Sequence, residues 1–216
     1  MNVPLLIYRI SGWSINLTTL FLAFVALKSK KIWKGKYVFL GIWFVCLAIT
    51  ELVSSITAVL AINNLFLDYY YGSISFGMKT LYLSRQYKQK WIHWLGYICV
   101  AIFVFLQIYK AYFKAEYNVF NAFGAYSSTI FFLIFSIINL NFLFRKKNYT
   151  HKLRSNPDFW FTVTIFCFSS LGLVISVLAD TSYAAQSENV LYALYISENF
   201  IKVFLYFGYY RGIKSL

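Results

Sequence analysis

Seven long apolar runs divide this chain, and the Lys and Arg residues between them fall almost wholly into alternate connections. The runs lie near Leu5–Leu27, Tyr37–Ile62, Leu65–Ser84, Trp91–Tyr112, Val119–Phe144, Phe159–Ala179 and Val190–Tyr210. A helical crossing of a bilayer needs roughly 20 apolar residues. Backbone groups in hydrocarbon must also satisfy their own hydrogen bonds, which an α-helix does. The pattern predicts an all-α fold, a seven-transmembrane-helix bundle in which residues 1–216 form a single integral membrane domain. The connections are too short to hide a soluble domain. The first run follows neither a basic leader nor a small-residue cleavage site, so it is expected to be a retained helix.

The charge pattern sets an orientation. Lys28, Lys30, Lys31, Lys34 and Lys36 follow the first run, and Arg85, Lys88 and Lys90 follow the third. Arg145, Lys146, Lys147, Lys152 and Arg154 follow the fifth, and Arg211 and Lys214 close the chain. The opposite side has only Lys110 and Lys114, offset by Asp68, Glu116, Asp180 and Glu188. Basic loops mark the cytoplasmic face, so the N-terminus is expected outside and the C-terminus in the cytoplasm of a cell (inner) membrane. A net charge of +13 could suggest nucleic acid. Bases in short loops beside apolar runs instead write topology, and nucleic acid is excluded as a partner on that ground. Only 12% of residues are charged, about half the share of a soluble domain.

Ionisable residues inside the runs are the informative ones: Glu51, Lys79, Glu198 and Lys202, with Asp68 and Arg9 nearer the outer side. A lipid-facing charge at mid-bilayer costs at least about 2.5–3.5 kcal/mol, so such residues turn inward and find partners. At about 1.5 Å per residue, Glu51 and Glu198 fall slightly to the outer side of the midplane and Lys79 and Lys202 to the inner side. Glu198 and Lys202 stand four apart on one helix face with the acid first, the favourable order. This set is either a structural ion-pair cluster or a midplane ligand site. Thr50, Ser54, Ser55, Ser73, Ser75, Asn139, Asn141, Ser197 and Asn199 could line such a cavity or bond between helices. Cys46, Cys99 and Cys167 have no metal-ligand spacing and read as small buried hydrophobes. With no Ser/His/Asp, Cys/His or metal set converging, the chain is expected not to be an enzyme.

Other signals are local. Asn156-Pro157-Asp158 has the form of a helix start. Trp33, Trp91, Trp94, Trp160, Tyr37, Tyr209 and Tyr210 sit near run ends as interfacial anchors; Tyr69, Tyr70 and Tyr71 read as belt residues too, but as three in a row they could instead stack on a ligand. Ser73 and Gly77 form a small-residue pair that suits close packing of the third helix. Trp43-Phe44 is echoed by Trp160-Phe161, and Lys79 by Lys202, which points to a 3+1+3 pseudo-repeat.

Two resemblances follow from these residues. Glu51, Asn63-Asn64-Leu65-Phe66-Leu67, and Asn156-Pro157-Asp158-Phe159-Trp160 with Gly172 resemble small seven-helix membrane proteins of Bacteroidota, often encoded beside sensor histidine kinases. That resemblance implies the fold and a signalling context, with a sensor kinase or other membrane protein as partner at the cytoplasmic loops. Glu198-Asn199-Phe200-Ile201-Lys202 is similar to the seventh helix of microbial rhodopsins. There the Lys holds retinal as a Schiff base beside an acid, and Asp68 and Lys79 would take the proton-acceptor and proton-donor positions. The chain departs from that family in having Leu65, Tyr69 and Ile74, and Phe168, Leu171 and Gly172, at positions of its retinal surroundings. The expected function is a non-enzymatic sensory or regulatory membrane protein. The alternatives are a small-solute transporter of 3+1+3 build with a small-molecule ligand, and a retinal photoreceptor.

Overall fold

In the computed structural model the described residues are 3–60, 62, 64, 66–113, 122–145, 153–184 and 188–216. Asn63, Leu65, Lys114, Glu116, Val119, Lys146, Lys147 and Lys152, used in the sequence reading, lie outside them. Seven α-helices are present among the described residues. They are α1 (Val3–Lys28), α2 (Val38–Val59), α3 (Phe66–Ser84), α4 (Lys90–Ile108), α5 (Ala122–Arg145), α6 (Pro157–Ala184) and α7 (Glu188–Ser215). A π-helical turn, Tyr109–Phe113, continues α4. Five stretches are long and apolar enough to cross a membrane: Arg9–Lys28, Gly35–Val59, Lys90–Phe113, Phe123–Arg145 and Pro157–Leu178. The other two helices, α3 and α7, are the ones that carry Lys79 and the Glu198/Lys202 pair.

Surface and interior are distributed as lipid demands. Leu17, Phe105 and Phe204 are more than 60% exposed, while Thr19, Gln107, Asn139 and Thr162 are fully buried. A helix in hydrocarbon keeps a hydroxyl by bonding it to a carbonyl one turn back. Thr18 donates to Ser14 O at 2.7 Å, Thr164 to Trp160 O at 2.7 Å and Ser169 to Ile165 O at 2.8 Å. This is a helical architecture compatible with a membrane protein, its apolar helix faces suited to contact with a lipid bilayer.

The chain divides into two compact units, Met1–Leu22 with Thr129–Ser215, and Ala23–Ser128 with Leu216. In the second of these, α2 packs on α3 and α3 on α4. Phe76 and Phe103 stack with centroids 4.0 Å apart. Gly77 meets Val100 of α4, where an added Cβ would lie 3.4 Å from that side chain, so the close packing expected of Ser73/Gly77 is found at Gly77. Gly96 faces Ser84 more tightly still, and a Cβ there would sit 2.8 Å from the Ser84 Oγ. After α1 the chain turns through Gly35, whose φ of +57° favours a residue without Cβ. Trp33 folds back there, its indole N–H donating to Ala26 O at 3.0 Å.

In the other unit α6 packs along α7. Asn156 opens α6 as expected: its Oδ1 accepts the Asp158 N–H at 2.9 Å, with Pro157 as the first helical residue. Phe161, Phe168, Tyr206 and Tyr209 form one aromatic seam, with Phe168 stacked on Tyr209 at 5.7 Å. Tyr209 is fully buried in that seam, so it is a packing residue and not the interfacial anchor its position suggested. Trp91 and Trp94 are about two-thirds exposed, as anchors should be. The seam is close because Gly208 and Gly212 face α6. A Cβ at Gly212 would lie 2.6 Å from the Phe161 ring, and one at Gly208 would collide with Thr164.

Candidate functional site

The polar residues of α3 recur every four positions. Tyr71, Ser75 and Lys79 therefore share one face of that helix. Trp43, nearly fully buried on α2, meets that face twice. Its indole N–H donates to the Tyr71 hydroxyl at 3.2 Å, and its ring carries the Lys79 ammonium 4.3 Å from the centroid. An indole face is the best aromatic seat for a cation, and the interaction strengthens where water is excluded. Tyr71 also hydrogen-bonds Ser75 and lies within electrostatic reach of Glu51 on α2. Glu51 is half-buried. The result is a polar chain from Lys79 through Trp43 and Tyr71 to Ser75, with an acid beside it.

Neighbouring polar groups are spent on local structure. Thr50 donates to Cys46 O at 2.9 Å, and Ser73 to Tyr69 O at 2.7 Å. Ser54 Oγ accepts the Asn64 amide at 2.9 Å, tying the α2–α3 connection to α2. The three consecutive tyrosines separate in role rather than forming one belt. Tyr69 is buried, Tyr70 hydrogen-bonds Tyr112 of the π-helical turn, and Tyr71 joins Trp43.

A second polar group lies on α7. Glu198 Oε1 and Lys202 Nζ are 2.6 Å apart across one helical turn. Between them in sequence, Asn199 donates to Ser11 Oγ of α1 at 3.1 Å. The pair is partly exposed, Lys202 by 32% and Glu198 by 19%. The bond to α1 holds this turn of α7 in one rotational setting.

Of the expected site residues, Lys79 and Glu51 thus join the Trp43–Tyr71 chain, and Glu198 and Lys202 join each other. Asp68 stands in the first turn of α3, and its side chain lies outside the described set. Arg9 is exposed on α1. Cys46, Cys99 and Cys167 are free thiols, each half-buried. Sequence reasoning missed Trp43 and Tyr71 as site residues. The signal was present in the four-residue spacing of Tyr71, Ser75 and Lys79, which marks a polar stripe that something on α2 must meet. It also missed Gly208 and Gly212, a small-xxx-small pair readable from spacing alone.

The retinal resemblance meets a mixed geometry. The acid it places beside Lys202 is there, but Phe168, in the region of the polyene cage, is packed against Tyr206 and Tyr209 at 5.3 and 5.7 Å. Those two contacts fill the side of Phe168 that faces α7 with aromatic packing. Comparison of the chain with protein-family models, with curated proteins and with solved structures finds no match.

Proposed function

We propose that this chain is a non-enzymatic, multi-pass regulatory protein of the inner membrane. It crosses seven times with its N-terminus outside, and acts on a membrane-bound partner such as a sensor kinase through its basic cytoplasmic loops. The observation that carries this reading is how its intramembrane charges are held. Lys202 rests on an acid one turn away, and Lys79 on a neutral ring. Both contacts are made by the ends of long side chains, which can exchange partners by rotation about side-chain bonds while the helices keep their places, a local change that a signal can bias. The resemblance to proteins encoded beside sensor kinases supplies the partner class.

The two helix hairpins support the 3+1+3 plan. In α2–α3 a buried Phe44 follows a Trp43 that bears Lys79, and in α6–α7 a buried Phe161 follows a Trp160 that bears Arg211, 5.7 Å from its centroid. The cation of the second hairpin is Arg211 and not Lys202, so the echo is of the Trp-Phe step rather than of the expected lysine.

The test compares Glu198→Gln, Lys202→Gln and the double variant in host membranes, reading partner recovery after cross-linking and partner kinase output. Removing one partner of a poorly solvated ion pair is the costly change, whereas removing both is close to neutral. The expected outcome is an output shifted by about threefold or more in either single variant, a shift that RT ln 3 makes chemically modest. The double variant should return toward wild type. Equal output and equal partner recovery in all three would sink the proposal, and saturable solute flux in liposomes would replace it with the transporter.

A further inference from the structure

The turn between α3 and α4 gathers three basic side chains around one open concavity. Arg85, Lys90, His93, Trp94 and Tyr97 line a space of about 580 Å³. Arg85 is held in place there. Its guanidinium donates to the Tyr97 hydroxyl and lies 5.8 Å from that ring, a contact that uses only one of its five N–H groups. His93 is held by a bond to the Tyr87 carbonyl at 2.9 Å. A carbonyl only accepts, so Nε2 carries the hydrogen, and the ring orientation is fixed from the turn. Trp94 packs edge-on to Tyr97 at 6.0 Å and forms the far wall.

Below this basic rim runs a continuous apolar face. Trp91, Leu95, Ile98, Ile102 and Phe105 recur along α4 at helical spacing, and each is roughly half to two-thirds exposed. Exposed Trp at the top of such a stripe belongs at the headgroup level of a bilayer. A cation cluster immediately above a lipid-facing stripe has one ligand chemistry complementary to both parts: an anionic head joined to hydrocarbon tails.

We propose that this turn binds the headgroup of an anionic phospholipid, with Arg85 and Lys90 receiving the phosphate, His93 lining the space beside them, and the exposed face of α4 receiving the acyl chains. Arg presents a planar fork to phosphate oxygens, and Lys adds a mobile point charge. The inference rests on the membrane reading of the chain but not on any partner or signalling role.

The test uses the full chain, purified in a neutral detergent and exchanged into nanodiscs of phosphatidylcholine with graded phosphatidylglycerol, with bound lipid counted by native mass spectrometry. Basic residues near a membrane surface contribute enough each that losing two should reduce retention of phosphatidylglycerol by about tenfold or more. The expected result is one retained phosphatidylglycerol in wild type, lost in Arg85→Gln/Lys90→Gln and kept in the charge-conserving Arg85→Lys/Lys90→Arg. Lys31→Gln/Lys34→Gln, elsewhere in the basic loops, should also keep it. Equal retention in the charge-deleted variant, or release of the lipid by millimolar inorganic phosphate, would overturn the site, the latter in favour of a free-phosphate ligand. Failure of the wild-type chain to remain in vesicles after alkaline washing would instead overturn the membrane reading itself.

Discussion

At Gly212 the α6–α7 seam admits hydrogen and nothing larger. A methyl there would press on Phe161, a ring that is fully buried and cannot swing aside. Gly212→Ala should therefore destabilise the protein by about 1–3 kcal/mol, the usual cost of overpacking. Gly172→Ala is the internal control. Its Cβ would meet Thr129 at an ordinary 3.7 Å, and the helix gains from replacing glycine, so stability should rise by up to about 1 kcal/mol. Thermal melts of the two variants in the same detergent decide both. A second residue-scale expectation concerns Tyr87, in the turn beyond α3. Burial pushes its phenol above the usual value of 10. The folded state then holds this proton more tightly than the unfolded state, so whatever Tyr87 contributes is complete below pH 10 and falls away as pH rises past it. The phenolate absorbance lost in Tyr87→Phe should belong to the latest part of the wild-type titration; an early-titrating difference would contradict the burial.

The start of α6 shows how an element is bounded by its chemistry. Asn156 caps the helix, and Asn156→Ala should cost about 1 kcal/mol, while Asn156→Asp or Asn156→Ser restores most of it in the same melting measurement. That start was legible in the sequence because Asn, Pro and Asp each act locally. Helix positions were legible for a related reason: apolar runs must be helical in lipid, and Leu65–Ser84 predicts α3 (Phe66–Ser84) almost residue for residue. The far ends were less so. α6 continues beyond Ala179 to Ala184 and α7 beyond Tyr210 to Ser215. Hydropathy ends where the hydrocarbon should end, but backbone hydrogen bonding does not. Side-chain pairing was the least legible. The contact of Lys79 with the Trp43 ring was not readable, because a cation over an indole leaves no charge mark in a sequence. The Glu198–Lys202 bridge was readable, because both partners stand on one helix at a fixed spacing.

For the whole molecule, the decisive quantity is which solvent its apolar faces meet. Ile102 sits near the middle of the α4 crossing and is 55% exposed. If that face meets lipid, Ile102→Lys carries an insertion cost of about 2.5–3.5 kcal/mol and should sharply lower the amount of protein in the membrane fraction. Gln89→Lys, just outside the same helix, should leave it unchanged. Wild-type membrane levels of Ile102→Lys would mean the α4 face is turned to water or protein. The geometry of α7 has a further electrical consequence. A charge carried through the full membrane potential exchanges about 2.3 kcal/mol with it per 100 mV. Glu198 and Lys202 sit on the same helix, 2.6 Å apart, so any sliding or tilting of α7 moves the two opposite charges together. If α7 crosses the bilayer, the electrical work on the two nearly cancels, and the pair can change depth while remaining almost blind to voltage.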